Sequence, residues 1–285
     1  MNATTPAPTT SRVSKETYGV LVDWIERNCG ISLGDSKAYL VETRFAPILI
    51  KLQCQSFDDL VKKLKTSAGT AIKDDIIDAI TTNETLWFRD PNIWSHLESG
   101  FLKEFLESSS SKKRIWSAAA SSGQEIYSLA MLMDKLSRKY PDLRNKVMAT
   151  ELLATDVSKN ILNIAQKGRY SRLEMSRGLD EEYKNRYFDK DRLFSSIKRD
   201  IKARVKFQAH NLQSPFGQLG KFDIILCRNV TIYFSREFRQ DLLNRLDAAL
   251  NPGGVLILGA TESIIGFKTN LKNRPGQPPS FYFKD

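Results

Sequence analysis

From Arg114 onward the sequence alternates short, nearly unbroken apolar runs with amphipathic stretches, and no other feature restricts the fold as much. The runs are "RIWSAA", "VMATELLATDVS" ending at Asp156, "VKFQAHNL", "KFDIILCRNV" and "GVLILGAT". Between them lie helix patterns: Gln124 to Arg138, "SKNILNIAQKGRY", and "SREFRQDLLNRLDAAL" closed by "NPGG". A run such as "FDIILC" suits a strand covered on both faces, as in the middle of a parallel sheet. Strand–helix alternation with right-handed crossovers predicts a doubly wound α/β domain. A basic insertion over residues 168–206 interrupts the alternation. At the end, "NLKNR" and "SFYFKD" predict a terminal antiparallel pair instead of another βαβ unit.

Ahead of Arg114 there is no strand-like alternation. In "SKETYGVLVDWIERNCG", Tyr18, Val22, Ile25 and Cys29 recur at three- and four-residue steps before Gly30, which reads as an amphipathic helix with a glycine stop. "DSKAYLVETRFAPILIKLQ" predicts a second helix, capped by Asp35 or Ser36 and kinked at Pro47. "SFDDLVKKLK" and "TAIKDDIIDAITTN" add two short helices. The expected organisation is a disordered tail over 1–13, a helical N-terminal domain over 14–90, a linker region over 91–113 and an α/β domain over 114–285.

Composition narrows the class of chemistry. No apolar run reaches the roughly 18 residues that span a membrane, and "MNATTPAPTTSR" has no signal-peptide core; the expected location is the cytoplasm, without membrane insertion. Cys29, Cys54 and Cys227 form no CxxC pair and predict buried free thiols. His96 and His210 are the only histidines, so a zinc site or a histidine-activated nucleophile is not expected, and no metal is. The net charge of +10 is uneven: residues 1–89 hold 11 basic and 11 acidic side chains, whereas 159–206 hold 14 basic and 7 acidic. Such a segment suits an acidic partner, protein or nucleic acid, or a plain solvated surface.

In a doubly wound sheet the ligand lies at the carboxyl ends of the strands, where the strand order reverses. After the first strand comes "AAASSGQE", with a single glycine, Gly123, able to take a positive φ. Glu125 stands in the first helical turn, where it repels a phosphate and can hold an ammonium group; an ordinary small-residue turn is the alternative. Asp156 can accept from both hydroxyls of a ribose or cap the next helix. Asn211-Leu212 and Asn229-Val230 each set an amide beside an apolar residue, suited to a purine edge and face or to a turn. In "AITTNETLWFRD", Asn83, Thr85 and Arg89 surround an apolar set, and Arg89 can clamp a carboxylate. A ligand with an amino acid end, a ribose and an adenine but no phosphate is S-adenosylmethionine.

"TTNETLWFRD", "WSAAASSGQEIYSLAM", "ATDVS" and "FDIILCRNVTIYF", in that order, resemble the chemotaxis receptor glutamate methyltransferases, the CheR family, over about residues 15–285. The resemblance implies a Rossmann-like class I methyltransferase domain with a small inserted β-subdomain at 168–206, preceded by an all-helical N-terminal domain. It implies S-adenosylmethionine as cofactor, with S-adenosylhomocysteine as product, and chemoreceptor cytoplasmic helices as the partner whose glutamates are methylated. By motif position the cofactor residues would be Asn83, Thr85, Arg89, Glu125, Asp156, Asn211, Leu212, Asn229 and Val230. Gln124 replaces a frequent Glu, Ile126 a frequent Pro and Trp87 the usual Phe, and none of these removes a required carboxylate. The insertion aligns with the family's receptor-docking element; residues 189–206 look shorter than in members that grip a receptor-tethered pentapeptide, and tether-independent docking is expected.

A glutamate acceptor, with a pKa of roughly 4.3, is ionised at neutral pH and needs no general base. Tyr233, in "NVTIYF", is the candidate for orienting the acceptor carboxylate, with packing as the alternative; Arg89 is a second catalytic candidate. Lys37, Arg44 and Lys51 recur every seven residues and form one helix stripe, a candidate docking face for an acidic receptor bundle or an ordinary solvated face. A monomer is expected. No nucleic-acid partner is expected, since residues 1–89 are neutral and no known nucleic-acid motif appears, and two rival readings stand beside this one. One is a nucleic-acid methyltransferase using Tyr170, Tyr183, Tyr187, Phe188 and Phe194 for stacking. The other is a non-enzymatic sensor.

Overall fold

A computed structural model describes residues 12–66, 68–108 and 112–285. Most of the expected tail, 1–13, and part of the polar "SSSSKK" connector lie outside the described residues. The chain divides into two compact units: the residues up to Thr82 together with Tyr233–Ser235, and Asn83–Ile232 together with Arg236–Asp285.

The first unit is helical: α1 (Lys15–Cys29), α2 (Ala38–Lys51), α3 (Phe57–Leu64) and α4 (Ala68–Ile80). Ser14 caps α1 by accepting from the Thr17 N–H, and Gly30 ends it with φ 75°. The buried stripe of α1 is Tyr18, Leu21, Ile25 and Cys29, so Leu21 takes the place expected of Val22. Neither Asp35 nor Ser36 caps α2; both sit in a 3-10 turn, Asp35–Lys37, that leads into it. Pro47 lies within α2 on its exposed side. Leu21, Ile25, Val41, Phe45, Leu60 and Ile76 form the fully buried centre.

In the second unit the irregular 83–90 segment leads into helix in place of the expected linker region. After α5 (Pro91–His96), a π-helical turn (Leu97–Phe101) leads to α6 (Leu102–Glu107). Ile93, Trp94, Leu97, Leu102 and Leu106 are buried in the core of the α/β unit. The extra residue of the π turn resets the apolar phase, so both helices keep their apolar sides inward. Thus the break between units falls at Thr82/Asn83, ahead of the expected linker region.

The main elements are β1 (Arg114–Ala118), α7 (Gln124–Lys139), α8 (Arg144–Ala149), β2 (Glu151–Asp156) and α9 (Lys159–Lys167). The insertion supplies β3 (Arg169–Ser171), α10 (Arg172–Ser176), α11 (Glu181–Tyr187), β4 (Phe188–Lys190), β5 (Phe194–Ile197) and α12 (Arg199–Lys202). The chain returns through β6 (Val205–Ala209), β7 (Phe222–Cys227), α13 (Arg236–Ala249), β8 (Leu250–Ile257) and β9 (Phe281–Phe283). The insertion forms its own antiparallel sheet, β3-β5-β4. The main sheet runs β6-β2-β1-β7-β8-β9, parallel except for β9. The expected terminal pair is therefore altered: β9 pairs with β8, and "NLKNR" contributes one isolated bridge from Lys272 to Phe283. β8 takes the apolar "FYF" as its second neighbour, and Phe283 of that strand exchanges N–H···O bonds (3.0 and 2.7 Å) with Lys272 on its other side.

Register levels the strand ends. Ala118 pairs with Thr155 of β2 and Cys227 of β7, and Asp156 pairs with Ala209 of β6. Four strands end together, and the order reverses between β1 and β7, the place where such sheets bind ligands.

Candidate active site

Backbone strain collects in the loops after β1 and β7 and in the 83–90 segment. Six described residues other than glycine have positive φ; one is Gln53, and the other five are Phe88, Asp90, Ala119, Ser121 and Asn229. Each left-handed residue costs on the order of 1–2 kcal/mol, so the surrounding contacts must hold it, a pattern typical of functional loops. In the loop after β1, the Ser121 N–H donates to Asp156 Oδ2 (2.9 Å) and its hydroxyl to the Asn83 carbonyl (2.8 Å). The Tyr170 hydroxyl donates to the Ser122 carbonyl (2.9 Å). Gly123, at φ 91°, sits so close to α9 and α7 that a Cβ would meet Ala165 Cβ at 3.1 Å and the Tyr127 ring at 3.2 Å.

Asp156 is buried, and its other oxygen accepts from the Ser158 N–H (3.0 Å). It does not cap α9; Ser158 does, accepting from the Ile161 N–H (3.0 Å). Asn211 forms a local turn, its Oδ1 accepting from the Gln213 N–H (2.9 Å), and Leu212 is buried beside it. The Asn229 and Val230 N–H groups both point at the carboxylate of Glu262.

Glu125, in the first turn of α7, is held from two sides. Ser117 Oγ donates to one oxygen (2.8 Å) and Arg228 Nη1 to the other (2.7 Å). The Arg228 side chain is 1% exposed, and its second Nη donates to Asp90 Oδ2 (3.0 Å) and to the Arg89 carbonyl. Asp90 also accepts from the Ala260 N–H (3.0 Å). One buried cation thus ties the loop after β7 to α7 and to the 83–90 segment, and the trio keeps one net negative charge. Arg89 is half-buried; its guanidinium donates to the Glu84 carbonyl (3.2 Å), and its own carbonyl takes the Trp94 indole N–H (2.8 Å). Thr85 is half-buried in the same segment.

The remaining candidates lie in the first unit. Tyr233 groups there, its carbonyl accepting from the Ser32 N–H (2.8 Å). Lys37 is exposed at the end of the 3-10 turn, outside α2. Arg44 donates to the Ile80 carbonyl and to Thr82 Oγ1 (2.9 Å), and Lys51 pairs with Asp75 (2.7 Å). Two of the three stripe cations are therefore engaged within their own unit.

Sequence reasoning gave Arg228 and Glu262 no role. The one available signal for Arg228 was an arginine closing an apolar strand, which must find acidic partners to be buried. Among the described residues no group of three His, Cys, Asp or Glu side chains is placed to hold a metal. Burial pushes the Cys29 thiol up to about 11 and the Cys227 thiol well above its ordinary value, so neither is an activated nucleophile. Tyr170, Tyr183, Tyr187 and Phe188 are buried, which removes four of the five aromatics a base-stacking surface would need. Among the described residues no helix is long and apolar enough to cross a membrane.

A carboxylate at the start of α7 and a net negative trio suit a cofactor with cationic centres and no phosphate. Two family models match in chain order: "CheR methyltransferase, all-alpha domain" over residues 16–81 and "CheR methyltransferase, SAM binding domain" over residues 83–278. The chain is 41% identical over 255 residues to chemotaxis protein methyltransferase 1 of Vibrio cholerae, covering 89% of this chain and 91% of that protein. It is 42% identical over 243 residues to chemotaxis protein methyltransferase 1 of Pseudomonas aeruginosa, covering 85% and 88%. The expected S-adenosylmethionine cofactor and class I methyltransferase fold are borne out, and the chain belongs to the CheR methyltransferase family.

Proposed function

We propose that this methyltransferase esterifies glutamate side chains on the cytoplasmic helices of chemoreceptors, in chemotaxis adaptation. The observation that carries this reading is the ordered match of both CheR domains, together with relatives that are chemotaxis methyltransferases. S-Adenosylmethionine supplies an electrophilic methyl group on a sulfonium centre. Glu125, fixed by Ser117 and Arg228, holds the ammonium end; Asp156, fixed by two main-chain N–H groups, takes the ribose hydroxyls. Asn211 and Leu212 take the edge and face of the adenine, and Asn83, Thr85, Arg89, Asn229 and Val230 complete the pocket. Tyr233 orients the acceptor carboxylate, with Arg89 as the second group able to face it. The acceptor arrives ionised, so alignment and exclusion of water carry the rate.

On the substrate side the docking stripe narrows to Lys37, because Arg44 and Lys51 have partners within the unit. We assign the protein to the cytoplasm, as a monomer, and to receptors docked without a pentapeptide tether; tight binding of such a pentapeptide would remove that last assignment. The decisive experiment offers labelled S-adenosylmethionine with receptor-containing membranes or with RNA. Label on the receptor, released by mild base, marks a carboxyl methyl ester; label on RNA, or base-stable label, overturns the reading.

A further inference from the structure

Glu262 follows β8 in "GATESIIG" and is buried, yet among the described residues no cation pairs with it. Its carboxylate is satisfied by five donors. Oε1 accepts from the Val230 N–H (3.1 Å), the Thr231 N–H (2.8 Å) and the Thr231 hydroxyl (2.7 Å). Oε2 accepts from the Asn229 N–H (2.5 Å) and the Gly259 N–H (2.8 Å). A buried charge costs several kcal/mol unless it is compensated, and here the compensation comes mainly from one loop. That loop contains Asn229 at φ 57°, a conformation that asparagine tolerates but does not prefer. Gly259 completes the seat: a Cβ there would meet Asn229 Nδ2 at 2.6 Å and Glu262 Oε2 at 2.7 Å.

We infer that Glu262 is a positioning residue for the cofactor site, clamping the loop after β7 in the strained conformation that presents Asn229 and Val230. The inference rests on the assignment of those two residues to the cofactor. The carboxylate is required rather than a polar side chain of the same shape. A glutamine would turn its NH2 toward either two or three of the donors, leaving them without an acceptor and in mutual repulsion. With the clamp lost, Asn229 is free to leave the left-handed region.

Calorimetric titration with S-adenosylhomocysteine tests this without any methyl acceptor. Glu262→Gln is expected to weaken binding at least tenfold, and Glu262→Asp, which keeps the charge, to recover part of the loss. Val147→Ala serves as the stability control: it truncates a buried side chain of α8, at the end of the sheet opposite the loop, and is expected to lower Tm without changing Kd. Binding by Glu262→Gln within twofold of the parent overturns the inference, as does an equal loss of affinity in Val147→Ala. If the parent protein does not bind S-adenosylhomocysteine, the cofactor site itself fails, which is a different result from either of these.

Discussion

At the scale of single residues, the site depends on buried charges whose partners are far away in sequence. Arg228 reaches Glu125 and Asp90 across separations of 103 and 138 residues. Removing one member of a buried ion pair typically costs about 3–5 kcal/mol, because it leaves the others uncompensated. Arg228→Met is therefore expected to lose about 3 kcal/mol of unfolding free energy in urea, the low end of that range because Asp90 is 22% exposed. Combining it with Glu125→Gln, which removes one orphaned charge, should recover part of that loss. His210 gives a pH prediction. Burial and the neighbouring Arg245 hold its pKa below 6.5, and among the described residues its Nε2 has no hydrogen-bond partner. The folded state thus binds fewer protons than the unfolded state as pH falls through the unfolded value near 6.5, so stability is lost in that direction. His210→Gln should flatten the fall in unfolding free energy between roughly pH 7 and pH 5; an unchanged slope would show that His210 does not cause it.

At the scale of elements, one feature bears on the cofactor site and another on receptor docking. The first is the turn into α7. Gly123 needs both its positive φ and the space that a Cβ would take from Ala165 and Tyr127. Gly123→Ala should destabilise by about 1–2 kcal/mol from the backbone alone and weaken cofactor binding by shifting Glu125; a thermal melt and a binding titration read the two effects separately. The turn was legible in the sequence because one glycine among small residues after an apolar strand has few other uses. The second is the α1–α2 region of the helical unit. Reversing all three stripe charges would also break the Arg44 and Lys51 contacts, so Lys37→Glu is the informative variant. It should slow methylation of receptor membranes severalfold and leave S-adenosylhomocysteine affinity unchanged. The seven-residue spacing alone could not show this, because it fixes a face of the helix and not what already occupies that face. The helices over 91–107 escaped sequence reading for a related reason: a π turn shifts their apolar phase, so the two halves do not fit one period.

At the scale of the whole molecule, the net charge of +10 would make docking to an acidic receptor surface, as proposed, sensitive to salt. Raising ionic strength from roughly 0.05 to 0.3 M shortens the Debye length about 2.4-fold, and the initial rate on receptor membranes should fall accordingly. A rate indifferent to salt would argue against electrostatic docking. The alternation from Arg114 onward, the helical texture before it and the residues closing each strand were readable from sequence, because burial of two sheet faces writes itself into a local pattern. Those local patterns determined the fold class, the positions of the loops and the preference for a cofactor without phosphate. Only the tertiary structure decided which side chains meet. The register that brings the ends Ala118, Asp156, Ala209 and Cys227 to within one residue of each other, the burial of Arg228 between two carboxylates, and the five donors on Glu262 all join segments distant in the chain. The sequence can mark a charge that needs partners, as Arg228 closing an apolar strand does, but not which partners it meets, since that is set only once the sheet has formed.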